Sequence, residues 1–123
     1  MDGILDSSLI IELFKGNAKI LNALPRDLNY FIATITVFEL YCGKLKEREE
    51  IMIEKLPKVE FCENSAKIAG KIYRDLKEKG KIPSVKDLLL ASTAIAKDKI
   101  ILTCDEGFEI FRDYGLKLKI LER

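Results

Sequence analysis

The chain has 123 residues, 48% of them hydrophobic and 33% charged, with a formal net charge of +1 and no histidine. That length fits one domain with its own core, and the near-neutral balance excludes a polyelectrolyte that grips nucleic acid with its whole surface. Without His, the commonest general base and the commonest transition-metal ligand are both missing, so chemistry must run on carboxylates, hydroxyls, lysines or a hard cation held by oxygen.

In chain order, GILDSSLIIELFKG opens with a short apolar run that stops at Asp6, followed by Leu9, Ile10, Leu13 and Phe14 at helical spacing. A strand and then a helix are predicted, the helix capped by Ser7 or Ser8 and ended by Gly16. A second short helix through Ile20 and Leu21 closes at Pro25, and the β-branched run FIATIT predicts the next strand. Thr36-Val37-Phe38-Glu39 has capping-box spacing. A helix is therefore expected to open at Thr36, carry Phe38, Tyr41, Cys42 and Leu45, and run out into the charged, solvated stretch Lys46–Glu50.

After Pro57, residues Lys58 to Cys62 alternate like a short strand, and Asn64 or Ser65 opens a helix whose stripe of Ile68, Ala69, Ile72, Tyr73 and Leu76 stops at Gly80. Ser84-x-x-Asp87 leads into Leu88–Ala96, apolar on every side, which should be the most buried helix. Ile100 to Cys104 is a strand ending at Asp105, Phe108 to Tyr114 a short helix ending at Gly115, and Leu116 to Leu121 a last alternating strand. Such alternation predicts a three-layer α/β/α fold with a central, mainly parallel sheet of about five strands, in a single domain spanning residues 1–123.

The start MDGILDSS has neither the basic start nor the apolar core of a secretory leader, and no apolar stretch nears the roughly 18 residues of a membrane span. A cytoplasmic protein without membrane contact is expected. Cys42, Cys62 and Cys104 form no C-x-x-C pair and leave an odd thiol, which argues against a zinc site or a disulfide framework; buried thiols are the expectation. The absence of Gln and Trp beside abundant Lys and Glu matches a bias of hyperthermophile proteins.

Open parallel sheets place ligands outside the carboxyl ends of their strands. Asp6 and Asp105 fall there directly, and Glu39 rises from the same edge in the helix after the second strand. Asp87 follows a helix-to-helix connection, and spacing alone does not bring it to the other three. Each acid also has a bland explanation: Glu39 and Asp87 sit three residues after a Thr or Ser, as capping-box partners do, and Asp6 and Asp105 suit turns or N-caps. Against this, Asp6 interrupts an apolar run, which costs burial unless something binds the carboxylate. Clustered carboxylates point to Mg²⁺ or Mn²⁺.

ILDSSLII, FELYCG, DLLLASTAI and LTCDEGF, in this order and at these separations, resemble the signature segments of the PIN domain over essentially the whole chain. The resemblance is closest to single-domain PIN proteins that act as VapC-type toxins of VapBC systems. It implies a metal-dependent endoribonuclease with Asp6, Glu39, Asp87 and Asp105 as catalytic, Mg²⁺- or Mn²⁺-holding acids and with Ser8 and Thr103 as supporting hydroxyls. It also implies an RNA substrate, products with a 5′-phosphate and a 3′-hydroxyl, a homodimer, and a small antitoxin partner. Cys104 and Gly107 depart from the family pattern at positions on the RNA side. Lys15, Lys44, Lys46, Lys86 and Arg112 are further candidates for phosphate contact, although helix lysines are commonly just solvated. A receiver domain would want adjacent acids after the first strand, and a haloacid-dehalogenase-like phosphatase Asp-x-Asp, where this chain has Ser7 and Ser8. An inactive PIN-like binding module is the non-enzymatic alternative, and the presence of all four acids counts against it.

Overall fold

A computed structural model describes residues 1–123. Five parallel strands form one sheet in the order β3-β2-β1-β4-β5. They are β1 (Asp2–Leu5), β2 (Asn29–Ala33), β3 (Lys58–Val59), β4 (Ile100–Thr103) and β5 (Lys117–Ile120). Six α-helices connect them: α1 (Ser7–Phe14), α2 (Ala18–Ala23), α3 (Thr34–Tyr41), α4 (Glu47–Lys55), α5 (Glu63–Glu78) and α6 (Val85–Lys97), with a run of 3₁₀ helix at Glu106–Tyr114. This is the expected three-layer α/β/α arrangement.

Two cores follow from the period-2 alternation of the strands. Ile4, Ala33 and Ile101 face one side, where Ala69, Ile72 and Leu76 of α5, the buried face of α6, and Phe108 and Phe111 cover them. Their neighbours Leu5, Ile32 and Leu102 face the other side, against Leu9 and Ile10 of α1, Ile20 of α2, Leu40 of α3 and Ile53 of α4. The central strands are thus apolar on both faces, as strands covered by helices must be. In α6, Leu88, Leu90, Ala91, Ser92, Thr93 and Ala94 are buried in close succession, which makes it the most buried helix, as its composition predicts. Gly80 and Gly115 end their helices with φ of 74° and 94°, the left-handed region that glycine enters without steric cost.

Several boundaries differ from the sequence expectation, each for a reason of pairing. The second strand runs Asn29–Ala33 rather than through FIATIT, because β1 ends at Leu5 and β3 pairs only as far as Ala33, so no partner ladder continues. The helix therefore opens at Thr34, with Ala33 as an N-cap that contributes no side-chain bond, and Thr36 lies inside it as a fully buried residue. The stretch after Lys46 is not the solvated end of α3 but a separate helix, α4, whose Glu49 carboxylate accepts from the Lys46 backbone N–H at 2.9 Å. The third strand shrinks to Lys58–Val59, and α5 begins at Glu63 with Cys62 as its N-cap. The cysteines are likewise not buried: Cys42 is exposed, and Cys62 and Cys104 are only partly covered. Each stands at the end of an element, and element ends reach the surface.

Candidate active site

The chain reverses direction across the sheet at β1, since β2 and β3 lie on one side of it and β4 and β5 on the other. The crevice at the carboxyl ends of β1 and β4 is therefore the switch point where such sheets bind ligands. Asp6 leaves β1 at this point, its backbone N–H donating to the Leu102 carbonyl at 3.0 Å, and Asp105 leaves β4 beside it.

Asp6 is the N-cap residue of α1, yet its carboxylate makes no capping bond. Only 4% of the residue is exposed. Oδ2 accepts from Thr103 Oγ1 at 2.7 Å and from Ser8 Oγ at 2.8 Å. The two hydroxyl oxygens themselves accept backbone N–H groups, Ser8 from Cys104 at 3.1 Å and Thr103 from Asp105 at 3.0 Å. Each hydroxyl accepts one amide and gives its proton to the Asp6 carboxylate, which can only accept; the two hydroxyl oxygens lie 3.1 Å apart, and each link polarises the next. One carboxylate oxygen is fixed and the other, Oδ1, accepts nothing from the protein.

Glu39 lies in the second turn of α3, too far in for a capping box because the helix starts at Thr34. Its side chain is 16% exposed, with Oε2 at 3.5 Å from Ser7 Oγ and 3.4 Å from Lys86 Nζ. Asp105 caps the 3₁₀ run, Oδ1 accepting from the Gly107 N–H at 2.8 Å, which leaves its second oxygen unengaged. Asp87 is the third residue of α6, after the N-cap Ser84, whose hydroxyl accepts the Asp87 N–H at a long 3.5 Å. Its carboxylate accepts no hydrogen bond.

The fold brings Asp87, the acid that spacing could not place, to the other three. Burial, and then the charges of Asp6, Asp105 and Glu39 in that order, push its carboxyl from 3.8 up to about 6, with only Lys86 opposing them. Glu12 makes the contrast: also a largely buried acid, it receives the Asn17 amide at 3.0 Å and sits beside Lys15 and Arg123, so its carboxyl is held below the ordinary range, chiefly by the Asn17 bond. A buried acid with donors and cations is structural. A half-buried acid among three others, with almost no compensation, is short of positive charge.

The acids do not close into a ready-made cage, since no three of them converge to metal-binding distance in this structure. They form an open cluster coupled through space. Its donors are all oxygen, with no imidazole and no thiolate, which suits Mg²⁺ or Mn²⁺ and not zinc. The unengaged oxygens of Asp6, Asp87 and Asp105 fit such an ion chemically. Among the basic candidates, Lys86 touches the cluster, Lys15, Lys44 and Lys46 line a groove reaching Glu39, and Arg112 is engaged by Glu109 at 2.6 Å on the outer face of the 3₁₀ run. Sequence reasoning missed Ser7, which contacts Glu39, and Arg48, which lines the same groove. The spacing Arg48, Ile51, Met52, Lys55 marks one face of a helix and carried that second signal.

The PIN domain profile matches residues 3–114. Ribonuclease VapC3 of Methanocaldococcus jannaschii is 59% identical over 92 residues, covering 75% of this chain and 97% of that protein. In the crystal structure of VapBC2 from Rickettsia felis bound to a promoter DNA fragment, a chain 24% identical superposes with a TM-score of 0.82, covering 99% of this chain and 100% of that one. In DNA-bound VapBC from Salmonella typhimurium the corresponding values are 22%, 0.81, 98% and 98%. At these identities the two structures share the fold.

Proposed function

The chain belongs to the PIN domain family, and from that premise we propose that residues 1–123 form a single PIN-like domain acting as a divalent-metal-dependent endoribonuclease, the toxin of a VapBC-type toxin–antitoxin pair. The observation that supports it best is the state of Asp87, pushed up to about 6 by burial and by three acids at the switch point of the sheet. Such a cluster is destabilising until a cation joins it. Asp6, Asp87 and Asp105 are the proposed ligands of Mg²⁺ or Mn²⁺, with Glu39 as a further ligand or as the group that orients water. When bound, the cation supplies Lewis acidity toward a phosphodiester and neutralises charge developing at phosphorus. The protein's own part is to fix the donors: Ser8 and Thr103 lock Asp6 through Oδ2 and so aim Oδ1 at the cluster.

The ribonuclease assignment draws on the name of the Methanocaldococcus relative, and the antitoxin on the toxin–antitoxin complexes whose fold this chain shares. A small antitoxin, with a basic side chain entering the acid cluster, is the proposed inhibitor, and a homodimer the proposed assembly. The proposed products carry a 5′-phosphate and a 3′-hydroxyl. No helix is long and apolar enough to cross a membrane, and the cytoplasm is the proposed place of action.

The test is cleavage of single-stranded RNA by wild type, Asp6→Asn and Asp87→Asn in Mn²⁺, Mg²⁺ and EDTA, with circular dichroism as the check on folding. Wild type is expected to cleave only with metal, and both variants to lose cleavage while remaining folded. A folded variant that cleaves at the wild-type rate would overturn the assignment of that acid, and wild type without metal-dependent cleavage would leave an inactive PIN-like binding module.

A further inference from the structure

The four acids are not equally short of positive charge. Lys86 Nζ lies 3.4 Å from Glu39 Oε2, and no other basic side chain comes within 4.0 Å of Asp6, Glu39, Asp87 or Asp105. The same Glu39 oxygen accepts the Ser7 hydroxyl at 3.5 Å. By contrast, Asp6 Oδ1, the Asp87 carboxylate and the second oxygen of Asp105 have no donor and no cation from the protein.

The helix that carries Lys86 does not explain its place. It is the second residue of α6, next to Asp87. Backbone N–H groups give that end of a helix partial positive charge, which disfavours a cation. Its ammonium instead meets α3, which packs against α6 and brings Glu39 within reach. A pair between two exposed side chains would carry little weight. Here the lysine side chain is exposed but Glu39 is only 16% exposed and stands among three other acids, where an uncompensated charge is costly.

Charge counting points the same way. Four carboxylates and one ammonium leave three negative charges. One divalent cation leaves one of these, and a second would turn the cluster positive. Without the lysine, two divalent cations would balance the four acids fully.

We propose that Lys86 is the second cation of this site, carried by the chain itself: its ammonium holds the Glu39 end of the cluster, so that a single divalent ion is taken up, at Asp6, Asp87 and Asp105. The proposal rests on the metal-dependent nuclease reading and adds to it the number of ions and the division of the acids between them. A lysine ammonium is a compact point charge on a flexible stem, closer in kind to a small hydrated ion than a planar guanidinium is. With Oε2 occupied, Glu39 keeps Oε1 for orienting water.

The test is a Mn²⁺ titration of the RNA-free full chain, followed by the electron paramagnetic resonance signal of free Mn²⁺. Wild type, Lys86→Gln, Lys86→Arg and the double variant Lys86→Gln/Glu39→Gln are compared; the Lys86 side chain is exposed, and circular dichroism checks the fold. Wild type is expected to bind one Mn²⁺ per chain and Lys86→Gln two. Lys86→Arg, which keeps the charge, and the double variant, which lacks the acid, are expected to bind one. Cleavage by Lys86→Gln should depend on Mn²⁺ concentration sigmoidally, where wild type follows a simple saturation curve. A single ion in Lys86→Gln would overturn the proposal and reduce Lys86 to a solvated side chain. Two ions in wild type would overturn it while leaving the nuclease reading intact, whereas no bound Mn²⁺ in wild type would remove both.

Discussion

Asp87 carries the sharpest residue-scale consequence. Its carboxyl titrates at about 6 in the folded chain against 3.8 in the open, so between those values the folded state binds the extra proton. Stability from this group is fully present below pH 3.8 and is lost as pH rises through 6. At full value the shift corresponds to about 3 kcal/mol, and solvent screening at a half-exposed position reduces it to about 1 kcal/mol. Metal-free Asp87→Asn is therefore expected to melt about 4 °C above wild type at pH 7.5 in EDTA, with the gap closing toward pH 4. Equal melting temperatures at pH 7.5 would show that the four acids do not press on one another. Asp6 is the poorer choice for this experiment, because Asn there disturbs two hydroxyl donors. Those donors give a second prediction: Ser8→Ala and Thr103→Val should each lower metal affinity or cleavage by roughly 10–100-fold without abolishing it, as loss of a group that orients a ligand does. An unchanged metal titration and cleavage rate in both variants would reduce the hydroxyls to local backbone caps.

Among the elements, α3 and α6 carry one polar anomaly each where they are buried. Thr36 Oγ1 and Ser92 Oγ are fully enclosed and have no protein partner. Thr36 follows a β-branched pattern that reads as strand and a spacing that reads as an N-cap, but strand pairing ends at Ala33 and pulls it into the first turn of the helix. Valine has nearly the same shape without the hydroxyl, so Thr36→Val is expected to stabilise the fold by about 1 kcal/mol. Denaturant unfolding checks this, and a destabilisation of similar size would show that the hydroxyl is bonded in solution. The same view explains α4: its charge-rich sequence has the look of a solvated tail, yet Ile53 is inserted in the core and Arg48 faces the groove.

For the whole molecule, metal and stability are linked. A cation that binds only the folded chain raises its stability by about 2.7 kcal/mol at one hundred times its dissociation constant. Melting in Mn²⁺ should therefore rise with concentration for wild type, and Asp87→Asn, already relieved of one charge, should start higher and gain less. Indifference of both proteins to Mn²⁺ and Mg²⁺ would remove the physical basis for a metal site. Neither measurement requires knowledge of the RNA target.

What the sequence determined by itself was everything that local chemistry controls. Short apolar runs set the central strands and an alternating one the last strand, Gly80 and Gly115 ended helices where a positive φ is needed, and the acids after β1 and β4 stood at the ligand edge once the sheet was known to be parallel. The four segments around those acids also carried the family. Tertiary structure alone decided the rest, because it depends on partners distant in the chain. How far β2 extends was set by where β1 and β3 stop, which moved the start of α3 and took Glu39 out of a capping box. The exposure of the cysteines was set by their places at element ends. Asp87 lies 81 positions beyond Asp6, and only the packing of α6 against the sheet and α3 turns that separation into mutual repulsion. Coulomb energy depends on distance through space, which spacing along the chain does not specify.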